Sequence, residues 1–231
     1  MTWLLALALL GDAVDEVRAA VAEHTRALPN YFCRQETARY FTDRAGSRKR
    51  LIDRVEAEVA YVGEGQEVRG LKVNGKPVRD SRALTAAGVW TGGEFGTLLR
   101  NIFDPALPVE FKVKGEGRTL DFVAPREASR WEVWQGSAKV VVPFQGTIRL
   151  EAASKLPQRI LKRTRTLPAG MGVDLLEVEV EYGWVKLGAR QVWLPVRSES
   201  LSCLARQQSC YCNATEYKGY RRFEAESRLV P

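Results

Sequence analysis

Apolar and polar residues alternate strictly through "LLEVEVEYGWVKL", with Leu176, Val178, Val180, Tyr182 and Trp184 on one side and Glu177, Glu179 and Glu181 on the other. A period of two predicts a strand with one face inward and a carboxylate row in water, a solvated face rather than a catalytic acid pair. The same alternation runs through "RVEAEVAYV", where Val55, Ala57, Val59 and Tyr61 oppose Glu56 and Glu58. It continues in "VVVPFQGTIRL", where Val140, Val142, Phe144, Ile148 and Leu150 share a side. Strands wet on one face belong to antiparallel sheets. Asn74-Gly75 in "KVNGKPV" and the glycines of "KVKGEGRTLDF" supply hairpin turns. Further strands are predicted near 31–42, 66–73, 131–135, 158–166, 190–200 and 215–228. The total is about ten, and a meander of that size must curl or split and needs a cover for its apolar face.

Two amphipathic helices are available as that cover. Asp12 is placed to cap a helix from Val14 to Leu28, with Val14, Val17, Val21 and Leu28 on one stripe and Asp15 and Glu16 at its positive end. Thr91 to Glu94, "TGGE", matches a capping box, and Phe95, Leu98, Leu99, Ile102 and Phe103 follow at helical spacing until Pro105. The paired glycines also suggest a phosphate cradle, but neither nucleotide-loop spacing is present, and Glu94 stands where a lysine is needed. The expected architecture is α+β: one domain with a strongly curved antiparallel sheet covered by two helices.

The 231 residues are 45% hydrophobic, enough for one sizeable core, and no linker or repeat divides them. The apolar run Trp3 to Leu10 is far short of the roughly 20 residues of a membrane span. With Gly11-Asp12-Ala13 behind it, it reads as a signal peptide over residues 1–13, although no Lys or Arg precedes it. Residues 14–231 then form the mature domain, periplasmic or secreted. An exported chain with four cysteines suggests disulfides among Cys33, Cys203, Cys210 and Cys212. Three connectivities are open; Cys203–Cys210 across a hairpin tip, with Cys33–Cys212, is the least strained. Zinc ligation lacks the paired two-to-four-residue spacing, so no metal site is expected. Asn213-Ala214-Thr215 fits a glycosylation sequon.

His24 is the only histidine and lies beside the stripe of the first helix, which argues for a boundary residue and against a histidine-based catalytic or metal site. No cofactor signature is present. The net charge is +7, with basic clusters at Arg44–Arg50, Arg159–Arg165 and Lys218–Arg222. Interleaved tyrosines give these hairpins some likeness to nucleic-acid binders, but an exported chain meets anionic membrane surfaces and envelope polymers instead. A solvated basic surface accounts for the clusters as well.

"LPNYFCRQETARY", "GEFGTLLRNIF", "FQGTIRLEAASKLPQRI", "WLPVRSES" and "YKGYRRFEAES" together resemble a family of uncharacterised exported bacterial proteins marked by a GEFG motif. The order of elements is similar to that of the LolA-like lipoprotein carriers, and that resemblance implies an incomplete barrel around helices. The cysteine hairpin has no counterpart in the carrier pattern. The expectation is a non-enzymatic envelope protein that binds an acyl chain, lipid or lipoprotein in an apolar groove. Phe95, Leu99, Ile102, Phe103, Phe144, Val178 and Tyr182 are the candidate lining. The alternatives are a structural or protein-interaction module of an envelope assembly, whose core would be filled, and a hydrolase built on converging carboxylates.

Overall fold

Long runs of β-branched and aromatic residues in period-two alternation, broken by Asn-Gly and Gly-rich turns, give a chain that is mostly β. The computed structural model describes residues 2–63, 65–79, 96–115, 117–135 and 138–223. After helix α1 (Thr2–Ala27) come β1 (Tyr31–Asp43), β2 (Arg50–Val62), β3 (Gly65–Val73) and β4 (Lys76–Pro77). Helix α2 (Gly96–Phe103) precedes β5 (Glu110–Lys114), β6 (Thr119–Ala124), β7 (Glu132–Gln135) and β8 (Ala138–Val141). The chain continues through β9 (Phe144–Leu150), β10 (Pro157–Thr164), β11 (Val173–Leu187), β12 (Arg190–Leu204) and β13 (Ser209–Arg222). Eleven strands form one open antiparallel sheet, ordered β4-β3-β2-β1-β13-β12-β11-β10-β9-β6-β5, while β7 and β8 pair separately.

This is a single domain, and its first and last strands lie side by side inside the sheet. Tyr31–Asp43 runs antiparallel to Ser209–Arg222, so the two ends of the chain close the topology without closing the sheet. All other neighbours are sequential hairpins except β6 and β9, between which β7–β8 departs as an excursion. The Asn74-Gly75 turn takes positive φ at both residues (49° and 74°), as a two-residue hairpin requires.

Several sequence expectations are corrected. The class is mostly β rather than α+β, since among the described residues two α-helices accompany thirteen strands. "VVVPFQGTIRL" is two strands: Pro143 has no N–H for a ladder, so β8 ends at Val141 and β9 begins at Phe144 in a different sheet. Helix α1 starts at Thr2 instead of after Asp12, because nothing between Leu4 and Leu10 breaks a helix and Gly11 alone does not stop one. Leu28 lies just beyond the helix. The capping box Thr91–Glu94 falls outside the described residues. No described helix is long and apolar enough to cross a membrane.

Register reveals what each face carries. On the face toward the helices, one line of directly opposed residues runs Val55, Thr37, Thr215, Ser198, Val180, Ile160, Ile148, Leu120 and Val113. The adjacent line runs Asp53, Arg39, Asn213, Ser200, Val178, Lys162, Gly146, Phe122 and Phe111. The far face bears charged lines, such as Lys72, Glu56, Glu36, Glu216, Arg197, Glu181, Arg159 and Arg149. Lys218 joins Glu36 and Glu216 at 3.0 and 2.5 Å, relieving the repulsion of two carboxylates set opposite each other. A sheet this wide needs such a hydrated outer surface to stay dispersed.

Candidate functional site: the helix-covered face of the sheet

The inner face begins with the stripe of α2. Leu98, Leu99, Ile102 and Phe103 are 4%, 2%, 0% and 3% exposed and pack with Val14, Val17 and Val21 of α1. Opposite them, Phe144, Val178 and Tyr182 join the same cluster, with Val180, Ile160 and Ile148 beneath. Six of the seven residues expected to line a groove are therefore brought together: Leu99, Ile102, Phe103, Phe144, Val178 and Tyr182. The seventh, Phe95, lies outside the described residues. Each of the six is buried.

An aromatic chain, which the sequence reading does not single out, crosses this cluster. Phe103 stacks on Phe111 at 5.6 Å, Phe111 meets Phe122 at 6.4 Å, Phe122 meets Phe144 at 5.8 Å, and Trp131 stands edge-on to Phe144 at 5.6 Å. Offset and edge-to-face pairs of this kind add attraction beyond their buried area. Cations lie over two of these rings: Arg18 is 5.4 Å over Phe111, and Lys162 is 4.1 Å over Trp131 at the end of the chain.

Polar contacts also join the helices to the sheet. Arg100 donates from Nη1 to the Tyr61 hydroxyl at 3.1 Å, and Gly96 lies so close to that oxygen that a Cβ there would meet it at 2.7 Å. The glycine lets α2 start against β2. Burial holds the His24 pKa below the ordinary imidazole value, outweighing the opposite pull of the Trp193 backbone. Its half-buried position matches the boundary role expected for it. Trp193 in turn donates Nε1–H to the Pro157 carbonyl at 2.7 Å.

Toward β1, β13 and β12 the same face turns polar while remaining buried. Gln35, Thr37, Arg39, Ser198, Ser200, Ser202, Asn213 and Thr215 are each less than one-tenth exposed. Arg39, 2% exposed, donates two 2.6 Å hydrogen bonds to Asp53, directly across on β2. Thr37 and Thr215 hydroxyls meet at 2.9 Å, and Ser198 meets the Tyr217 hydroxyl at 3.0 Å. A signal for this patch exists in β1: Tyr31, Cys33, Gln35, Thr37 and Arg39 share one phase, so a buried tyrosine at one end commits the arginine inward. The sequon is part of it; Asn213 and Thr215 are 6% and 5% exposed, leaving no room for a glycan.

Cys203 and Cys210 oppose each other at the β12–β13 tip and are disulfide-bonded, as expected. The companion link is corrected: Cys33 and Cys212 are both buried free thiols. Cys212 faces Tyr40 on β1, seven residues along from Cys33, which is about 23 Å of strand. They also point to opposite faces of the sheet, and no disulfide spans that. Burial pushes the Cys33 thiol up to about 12 and the Cys212 thiol up to about 11.

Comparison with models of known protein families finds no match to this chain, and comparison with curated proteins finds none either.

Proposed function

We propose that the protein is an exported, non-enzymatic envelope component that holds an amphiphile between its two helices and the inner face of a curved sheet. The ligand class is an acyl chain, a lipid, or the lipidated end of a lipoprotein. The observation that carries this reading is the division of the inner face along its own cross-strand lines. Thr37, Thr215 and Ser198 give way to Val180, Ile160 and Ile148 in one; Arg39, Asn213 and Ser200 give way to Val178, Phe122 and Phe111 in the other, with Gly146 and Lys162, its ammonium over the Trp131 ring, between Val178 and Phe122. A face with hydrogen-bonding groups at one end and apolar groups at the other suits a ligand with a head and a tail.

Curvature supports the same reading. Through Arg100 and Phe103, α2 touches Tyr61 on β2 and Phe111 on β5, which stand eight positions apart in the sheet order. In a flat sheet those strands would be about 38 Å apart, whereas Gly96 to Phe103 covers only about 10 Å of helix. The flanks of the sheet therefore curl toward one another around the helices as a half-barrel. The α2 stripe that faces the sheet is apolar, so displacement of α2, with release of the Arg100–Tyr61 hydrogen bond, opens the cluster to a chain of methylenes.

A fluorescent long-chain fatty acid is the direct probe. Saturable binding at low micromolar concentration is expected, weakened at least tenfold by Val178→Asp in protein shown by circular dichroism to be folded. Absence of binding for fatty acid, phospholipid and lipidated peptide alike contradicts the proposal.

A further inference from the structure

A second concavity opens at the edge of the inner cluster, where β6, β9 and β10 end together and Ala124 and Phe144 of that cluster form part of its wall. Pro125 follows β6 and Pro143 precedes β9, and neither has a backbone N–H, so the β6–β9 ladder stops at the Ala124–Phe144 pair. The strands part there and leave a cleft of about 310 Å³. Its outer wall is one cross-strand line, Arg163, Gln145 and Val123. Arg165 stands two residues beyond Arg163 at the mouth. Val123 is 44% exposed, an apolar side chain held open to water.

Both arginines are exposed. The carboxyls that feel their charge are Glu177 on β11, opposite Arg163, and Asp174, which Arg44 already holds. Among the described residues, neither arginine takes part in any ion pair or hydrogen bond through its side chain. Other basic residues of the same surface are held: Arg44 is tied to Asp174 at 2.7 Å, Lys49 to Glu199 at 3.0 Å and Arg159 to Glu179 at 2.5 Å. Two exposed guanidinium groups with no hydrogen-bonded partner among the described residues, Glu177 acting on them only at longer range, stand beside an open apolar wall, an arrangement for a planar or tetrahedral oxyanion.

The geometry points to this cleft as a separate binding site for a small oxyanion carrying a short apolar body, its carboxylate or phosphate on Arg163 and Arg165 and its carbon chain along Val123, Pro125 and Pro143. The volume sits at the small end of ligand sites and admits a short chain, not a diacyl lipid. The site goes beyond the inner-face reading and stands or falls separately from it.

Isothermal titration of the full chain with octyl phosphate, octanoate, octanol and inorganic phosphate tests the assignment. Octyl phosphate and octanoate are expected to bind, with octanol and inorganic phosphate each at least tenfold weaker. Arg163→Gln with Arg165→Gln, both at exposed positions, is expected to weaken octyl phosphate at least tenfold. Val123→Asp, which sets a carboxylate in the cleft, is expected to do the same. Octyl phosphate is expected not to displace a long-chain probe from the inner face. Equal affinity for octanol and octyl phosphate overturns the oxyanion, and inorganic phosphate binding as tightly as octyl phosphate overturns the apolar body. Unchanged binding in the arginine double variant, or displacement of the inner-face probe, overturns the location.

Discussion

Replacing Asp53 by Asn tests how the polar half of the inner face is held. The Asp53 side chain is 13% exposed and Arg39 only 2%, and the two are joined by paired 2.6 Å hydrogen bonds. The Asp53→Asn change keeps the shape of the side chain but presents an N–H₂ to a guanidinium that accepts nothing and takes the Asp53 charge away from a buried cation. Removing one partner of a buried pair costs about 3–5 kcal/mol. For a chain of this size that corresponds to a fall in Tm of roughly 6–20 °C. Urea denaturation followed by far-ultraviolet circular dichroism measures it, with Lys218→Met as the comparison. Lys218 also contacts two carboxylates, but its side chain is 47% exposed, and its loss is expected to cost a small fraction of the Asp53 effect. Equal losses in the two variants would refute the argument that burial, and not ion pairing as such, sets the energy.

Ile102→Ala removes a fully buried side chain facing both α1 and the sheet and is expected to cost about 2–5 kcal/mol in the same assay. With thiols held up to about 12 and about 11, Cys33 and Cys212 are expected to resist iodoacetamide at pH 8 in the native protein and to react fully in urea. Peptide mapping without reductant should recover Cys203 linked to Cys210 and no Cys33–Cys212 peptide. Burial lowers the His24 pKa, so the unfolded chain takes up that proton first as pH falls through about 6.5. Its contribution to stability is complete above that pH and declines below it until the folded value is passed. His24→Gln should flatten the slope of the urea midpoint between pH 6.5 and 5, and an unchanged slope would assign it to other groups.

What the sequence discloses here is governed by the range of the interaction. Alternation is local, so β2 and β11 and the Asn74-Gly75 turn are legible, as is the stripe of α2 that places Leu99, Ile102 and Phe103 together. Pro143 is visible too, but the apolar phase runs through it, and only the departure of β8 into its own sheet shows that the proline wins. The polar patch is hidden for two reasons. In "YFCRQETARYF" the inward phase is not apolar, so Gln35, Thr37 and Arg39 do not contrast with their neighbours. Moreover, the contact that completes it, Thr37 with Thr215, spans 178 residues through a β1–β13 pairing that no turn announces. The same pairing defeats the Cys33–Cys212 expectation: both residues do lie on the first and last strands, but the register separates them. The cleft at Arg163 and Arg165 is legible only as part of a basic run, because its walls come from strand ends that meet only in the folded sheet.

Mass spectrometry of the intact protein, isolated from its native compartment under non-denaturing conditions, tests the central claim most directly. The account predicts a bound amphiphile of stoichiometry near one, released on unfolding and lost from the Val178→Asp variant. Recovery of the folded protein with its bare chain mass, together with no uptake of any acyl-chain ligand on titration, would contradict it and leave the inner face as a filled core.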